Sequence, residues 1–232
     1  MIIPVSVKNQ SIDSSGITSD YKAAISEYVW NGFEANATKV SIEYTHNEAF
    51  GVKELIIKDN GEGINYNELG ETFGAFLASK KNLLSLQMKS KANKGKGRFS
   101  FIAFSNNAEW HTVYKDNDVY KEYDIAMSSD KKEVIDCSEP QLSEQNATGT
   151  EVRFFNINTL TVENMSFEVI ESALLKDFAW FLYLYKNKDA EIIVNGEKID
   201  YKKYINTDLS EKVMVTIDGY RFEINLIVWQ ES

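Results

Sequence analysis

The chain has 232 residues, of which 43% are hydrophobic, 12% aromatic and 26% charged. That is enough to bury a full core, and it excludes a disordered or low-complexity chain. Its 25 basic and 35 acidic residues leave a net charge of −10. This argues against a stand-alone nucleic-acid binder, because neutralising phosphates needs a positive field. A single cysteine, Cys137, excludes an intramolecular disulfide and fits a reducing compartment. The opening Met1-Ile2-Ile3-Pro4-Val5 is too short and uncharged for a signal peptide. No apolar run approaches membrane-spanning length, so a cytoplasmic protein with no membrane partner is expected.

The apolar positions Ala23, Ala24, Tyr28, Val29, Phe33 and Ala37 fall near helical spacing, and predict a helix over 19–37 with Ser19 or Asp20 as its cap. Lys39–Thr45 alternates as a strand with Val40, Ile42 and Tyr44 on one face, and Glu54–Lys58 is a second strand ending at Asp59. Residues 64–97 read as a mobile, glycine-rich segment. An apolar stretch from Phe99 (Phe101, Ile102, Phe104) reads as a buried helix. Two or three antiparallel strands follow between Ala108 and Asp136, with turns at 116–118 and 128–132. Gly149–Asn156 is another strand, and Phe167–Lys186 a long aromatic helix. From Ala190 the chain returns to strands, with Asn195-Gly196 and Asp218-Gly219 as hairpin turns. This order suits an α+β fold, one layer of helices on one mixed sheet. It does not suit a doubly wound parallel sheet.

Four local patterns carry chemistry. Glu27 and Asn31 lie one helical turn apart on the same face, where a carboxylate can take a proton from water and an amide oxygen can hold a hard cation. As an isolated pair they are more often an ordinary helix surface. Asp59-Asn60-Gly61-Glu62-Gly63-Ile64 ends a strand in an acceptor suited to an exocyclic amino group, followed by glycines that admit a ligand close to the backbone. The plain alternative is a turn. The spacing of a calcium loop is absent. Gly95-Lys96-Gly97-Arg98-Phe99-Ser100 puts a glycine-rich loop before a helix start, which offers backbone amides to phosphate. It is neither a P-loop nor a dinucleotide fingerprint. Seven cations run from Lys80 to Arg98 without an acid between them: a solvated loop, a phosphate-covering lid or a DNA-contacting loop. Gly149-Thr150 opens a strand with a hydroxyl that can hold water against a purine edge.

In that order and spacing, Glu-x-x-x-Asn-x-x-Glu-Ala, strand-Asp-x-Gly-x-Gly-Ile, Gly-x-Gly-x-x-Ser and Gly-Thr resemble the GHKL ATPase superfamily: gyrase B, the ninety-kilodalton heat-shock chaperones, histidine-kinase catalytic domains and MutL. The motif forms look most like the MutL and MORC branches. The resemblance covers roughly residues 19–155 and implies a Bergerat-type two-layer sandwich, a mixed but mostly antiparallel sheet packed on helices. Residues 1–190 would form the ATP-binding domain, and 191–232 its final strands or the start of a truncated transducer-like domain.

What the resemblance implies for the site follows residue by residue. Glu27 is the general base and Asn31 the magnesium ligand. Asp59 reads adenine, and Gly61, Gly63 and Ile64 shape the purine pocket. Gly95, Lys96, Gly97, Arg98, Phe99 and Ser100 form the phosphate cradle, Thr150 stands beside adenine, and Lys80 is a phosphate contact. Glu34 stands where the family usually has Asp and reads as an orienting group. The glycine usual upstream of Gly95 is replaced within Ala92-Asn93-Lys94, and no lysine is assigned to the γ-phosphate. The implied activity is slow magnesium-dependent ATP hydrolysis, with ATP and Mg2+ as ligands, coupled to lid closure and ATP-dependent homodimerisation. Any DNA or protein client would be met through missing downstream domains. The alternatives are a nucleotide-gated interaction module with little turnover and a histidine-kinase-type phosphotransfer domain. The second of these is disfavoured because His46 and His111 do not lie on a dimerisation helix. A fourth reading is a non-enzymatic α/β domain whose motifs are accidental.

Overall fold

The computed structural model describes residues 16–73 and 97–230. Lys80, Gly95 and Lys96, and most of the segment read as mobile, lie outside the described residues.

Alternation along the strands decides which face of the sheet is covered. Val40 and Ile42 on β1 (Lys39–His46), and Leu55 and Ile57 on β2 (Val52–Asp59), are almost wholly buried. So are Ala108, Trp110, Thr112 and Tyr114 on β3 (Ser105–Asp116), and Tyr123, Ile125 and Met127 on β4 (Val119–Ser128). Val152 and Phe154 on β7 (Gly149–Ile157) continue the row. The intervening residues form an open, charged face. There Arg153 meets Glu54 at 3.4 Å and Glu151 at 3.1 Å, and Lys58 meets Glu151 at 3.3 Å. Such exposed pairs contribute little, about 0–1 kcal/mol each.

Two short strands, β5 (Asp136–Cys137) and β6 (Gln141–Leu142), pair with β4. β8 (Glu191–Val194) lies parallel to β1, and β9 (Glu197–Lys198) pairs antiparallel with β8. The strand order is β5-β4-β3-β7-β2-β1-β8-β9, with every other pairing antiparallel. β10 (Glu211–Ile217) and β11 (Tyr220–Leu226) form a separate hairpin. The mixed, mostly antiparallel sheet under helices is the α+β sandwich expected. Both hairpin turns form where the sequence puts them, with left-handed backbone at Asn195-Gly196 and Asp218-Gly219.

Two α-helices cover the sheet. α1 (Tyr21–Glu34) starts at Asp20, whose carboxylate accepts the Lys22 N–H at 2.9 Å, a cap worth about 1 kcal/mol. It ends at Ala35, followed by Asn36 in the left-handed region at φ 61°. α1 is buried through Ala24, Ile25, Tyr28, Val29, Gly32 and Phe33. A short α2 (Leu69–Thr72) follows a 3₁₀ turn at Tyr66–Glu68. α3 (Phe167–Leu184) packs on α1 through rings, with Trp30 on Phe178 at 4.4 Å and Phe33 on Phe181 at 4.5 Å between centroids. Among the described residues no helix is long and apolar enough to cross a membrane.

The helix expected after Gly97 is of a tighter kind. The apolar stretch after Gly97 is a 3₁₀ helix of seven residues, Gly97–Ala103, not an α-helix. β3 begins at Ser105, so Phe99, Phe101 and Phe104 must all reach the core within a few residues. The chain winds tightly and closes with an i→i+3 bond from Phe104 N to Phe101 O at 3.0 Å. So short a 3₁₀ segment brings little macrodipole to a phosphate.

Candidate functional site: a polar notch in an apolar layer

Asp59, Thr150 and Thr112 stand directly beside one another on β2, β7 and β3. The register pairs Asp59 with Thr150 and Thr150 with Thr112. All three follow the alternation that elsewhere puts Ile57, Val152 and Trp110 under the helices. The result is a polar notch at one end of an otherwise apolar layer. Thr112 is wholly buried and Thr150 nearly so, and their hydroxyls are 3.1 Å apart. Thr112 Oγ1 also accepts the Ile64 N–H at 2.9 Å and lies 3.4 Å from Gly149 O.

Burial pushes the Asp59 carboxyl above its ordinary value of 3.8, and hydrogen bonds from the Gly61 and Thr150 backbone N–H groups pull partly against this. The Gly61 N–H donates to Asp59 Oδ1 at 2.8 Å. The turn after Asp59 is fastened to the end of α1. Glu62 N donates to Ala35 O at 2.8 Å, Asn36 Nδ2 donates to Glu62 Oε1, and Asn60 Oδ1 accepts from Thr38 N and Lys39 N. α1 itself lies close against β1 and β2 at Gly32, where a Cβ would meet Asp59 Cβ and Val40 Cγ2 at 2.9 Å each. Asn31 is the neighbour of Gly32, and Glu27 lies one turn back on the same helix. Both are half-buried.

Gly63 closes the turn at φ 74°, and a Cβ there would fall 2.1 Å from Val113 O. Gly97 comes up against Glu27: a Cβ would fall 2.7 Å from Glu27 Oε1. Arg98 is anchored by its carbonyl, which accepts the Tyr28 hydroxyl at 3.0 Å. Its guanidinium lies 4.7 Å from the Phe99 ring centroid and 6.0 Å from that of Phe73, and burial lowers its pKa to about 10. Ser100 is buried. With Glu27 and Trp30 it lines a groove of about 940 Å³ that opens between α1 and α3.

Of the residues singled out from sequence, Asp59, Gly61, Gly63, Ile64 and Thr150 meet at the notch. Gly97, Arg98 and Ser100 meet α1 at Glu27, Tyr28 and the groove beside Trp30. Asn31 lies one turn on from Glu27, and Phe99 is buried in the core. Glu34 lies one turn beyond Asn31 on the same helix, half-buried. Sequence reasoning missed Thr112, whose hydroxyl joins Thr150 to Ile64. The available signal was a hydroxyl at an inward position between Trp110 and Tyr114. It also missed Ala35 and Tyr28, which act through a backbone carbonyl and a phenol with no motif around them.

Among the described residues there is no cluster of three or more His, Cys, Asp or Glu able to hold a metal ion. A cation here would have to draw on an amide oxygen such as that of Asn31 and on oxygens brought by a ligand, a donor set that suits magnesium.

A search of curated proteins finds no match to the chain. The family model described as histidine kinase-, DNA gyrase B-, and HSP90-like ATPase matches residues 18–159. That span holds α1, the Asp59 turn, the Gly97 segment and Thr150, and it is more than half of the chain. The chain belongs to the histidine kinase-, DNA gyrase B-, and HSP90-like ATPase family, the GHKL superfamily.

Proposed function

We propose that the notch binds the adenine of ATP and that the protein hydrolyses the nucleotide. The observation that carries this reading is the in-register row Asp59-Thr150-Thr112, its two threonines buried, beneath the helix bearing Glu27 and Asn31. An ionised Asp59 accepts from the adenine amino group. A Thr150–Thr112 hydroxyl pair holds the water or ring nitrogen beside it. Gly61 and Gly63 hold the turn close to Ala35 and Val113, and the resemblance assigns them to the wall of the purine pocket. The resemblance assigns the phosphates to Gly97–Ser100 and the preceding Gly95 and Lys96, with Lys80 as a further contact.

Glu27 takes a proton from the attacking water. The hydroxide oxygen bonds to the γ-phosphorus, the bond from that phosphorus to the bridging oxygen breaks, and ADP leaves with the bond's electron pair. Magnesium, when bound, neutralises charge on the phosphates. Asn31 would hold it through its amide oxygen, with the rest of its shell from phosphate and water. Coupling of turnover to lid closure and to pairing of two chains belongs to the same reading and rests on the motif resemblance. So does an origin of residues 191–232 as final strands or the start of a second unit.

The test is phosphate release under single-turnover conditions with wild type and Glu27→Gln. General-base catalysis contributes about 10²–10⁴-fold, so Glu27→Gln should retain ATP and lose release by at least about 100-fold. Equal release from both proteins would remove Glu27 from the chemistry. Equal partner engagement with and without turnover would favour a nucleotide-gated switch.

A further inference from the structure

The hairpin β10–β11 is amphipathic. In its register Val213 pairs with Ile224, Val215 with Phe222, Ile217 with Tyr220, and Glu211 with Leu226. Directly paired residues share a face, so one face holds seven apolar side chains with a single acid at its margin. The other face carries Lys212 opposite Asn225, Met214 opposite Glu223 and Thr216 opposite Arg221. On that face Lys212 bonds Glu223 across the strands at 3.0 Å. The base of the hairpin is tied down by the Ile205–Trp229 bridge and by Trp229 against Trp180 and Tyr183. The apolar face is exposed, with Val213 at 39%, Ile217 55%, Tyr220 72% and Phe222 49%, and so is Met214 on the opposite face at 62%.

An isolated two-stranded hairpin is marginal in water, and an uncharged patch of this kind marks an interaction site. We propose that a second copy of this chain covers it, the two hairpins stacking apolar face on apolar face about a twofold axis. Three properties select that occupant. The face carries no charge except Glu211 at its edge, so two copies meet without repulsion or a stranded ion. Each copy presents the same patch, as a twofold contact requires. Its area is also of the right order: roughly 600 Å² of apolar surface per copy, against about 800 Å² per partner in a standard stable interface. That size gives association at micromolar concentration without nucleotide, independent of the ATP reading.

Sedimentation of the full chain, without nucleotide, over about 1–200 µM tests it. Wild type is expected to pass from monomer to dimer in that range. Phe222→Lys should weaken dimerisation at least about tenfold, and Thr216→Lys, on the opposite face, should leave it unchanged. Tyr220→Lys, at the most exposed position of the face, repeats the test should Phe222→Lys alter the melting curve. A wild type that stays monomeric to the top of the range overturns the proposal and leaves the face to a different polypeptide. So does a dimer indifferent to both face variants, or one that forms only with ATP and survives them.

Discussion

Gly97 lies against the carboxylate of Glu27, so close that a methyl group on Gly97 would stand 2.7 Å from Glu27 Oε1 and 3.0 Å from its Cγ. Far apart in sequence, the two are brought together because Tyr28 fixes the Arg98 carbonyl from the next helical position. The atoms that would be struck are the far end of a flexible side chain, which can move aside. Gly97→Ala should therefore fold and melt like wild type yet lose roughly 100-fold in hydrolysis, since about 1 Å of misplacement costs that much. Melting and steady-state turnover on the same preparation check it. A full rate in the Gly97→Ala variant would show that the contact does not position Glu27.

Gly63 offers the opposite case. Its backbone is left-handed at φ 74°, and the obstacle is the Val113 carbonyl at 2.1 Å, which is part of β3 and cannot yield. Gly63→Ala should cost more than about 3 kcal/mol, combining backbone strain with a displaced strand. Gly196 has a similar φ of 83° with nothing nearby, so Gly196→Ala should cost only about 1 kcal/mol. Urea unfolding of the two variants separates the close approach from the dihedral. Equal losses would contradict it.

Thr112 tests the notch from below. Thr112→Val keeps the shape and deprives the Ile64 N–H and the Thr150 hydroxyl of a partner. A buried unsatisfied group costs about 1–3 kcal/mol. Stability should fall by that amount and ATP affinity with it, and Thr112→Ser should restore both. Urea unfolding and nucleotide titration read the two effects. Full ATP affinity in Thr112→Val would detach the hydroxyl row from the site.

Asn31 is the proposed donor to magnesium. Asn31→Ala should raise the magnesium concentration for half-maximal hydrolysis about 10–100-fold, and chelation should abolish turnover in the wild type. An unchanged magnesium profile in Asn31→Ala would move the ligand elsewhere.

Much of the site was legible because its residues sit in short, position-specific runs. Glu27 and Asn31 share a face by helical spacing, and Asp59-Asn60-Gly61-Glu62-Gly63 must turn at the end of a strand. The alternation of Val40, Ile42, Leu55 and Ile57 fixed which side of the sheet is covered, and that in turn aimed Asp59 inward. Thr112 was not legible as a site residue, because its role depends on β3 lying next to β7 at one register. The 3₁₀ form of Gly97–Ala103 was hidden too. Its apolar residues look helical, and only the start of β3 at Ser105 compresses them.

The central claim is that Asp59 reads adenine, and calorimetric titration of Mg-ATP into wild type and Asp59→Asn tests it most directly. Burial raises the Asp59 pKa, so the folded protein holds this proton at a higher pH than the unfolded chain. The contribution of Asp59 to stability therefore falls as pH rises through the interval above 3.8. Asp59→Asn removes that penalty and should melt no lower than wild type at neutral pH. Affinity in the wild type, which needs the ionised form, should fade on acidification through the same raised interval. The account predicts saturable binding to the wild type at neutral pH, weakened roughly 10–100-fold in Asp59→Asn by loss of a hydrogen bond to a charged group. Equal binding by the two proteins, or no binding of ATP by the wild type, would contradict it.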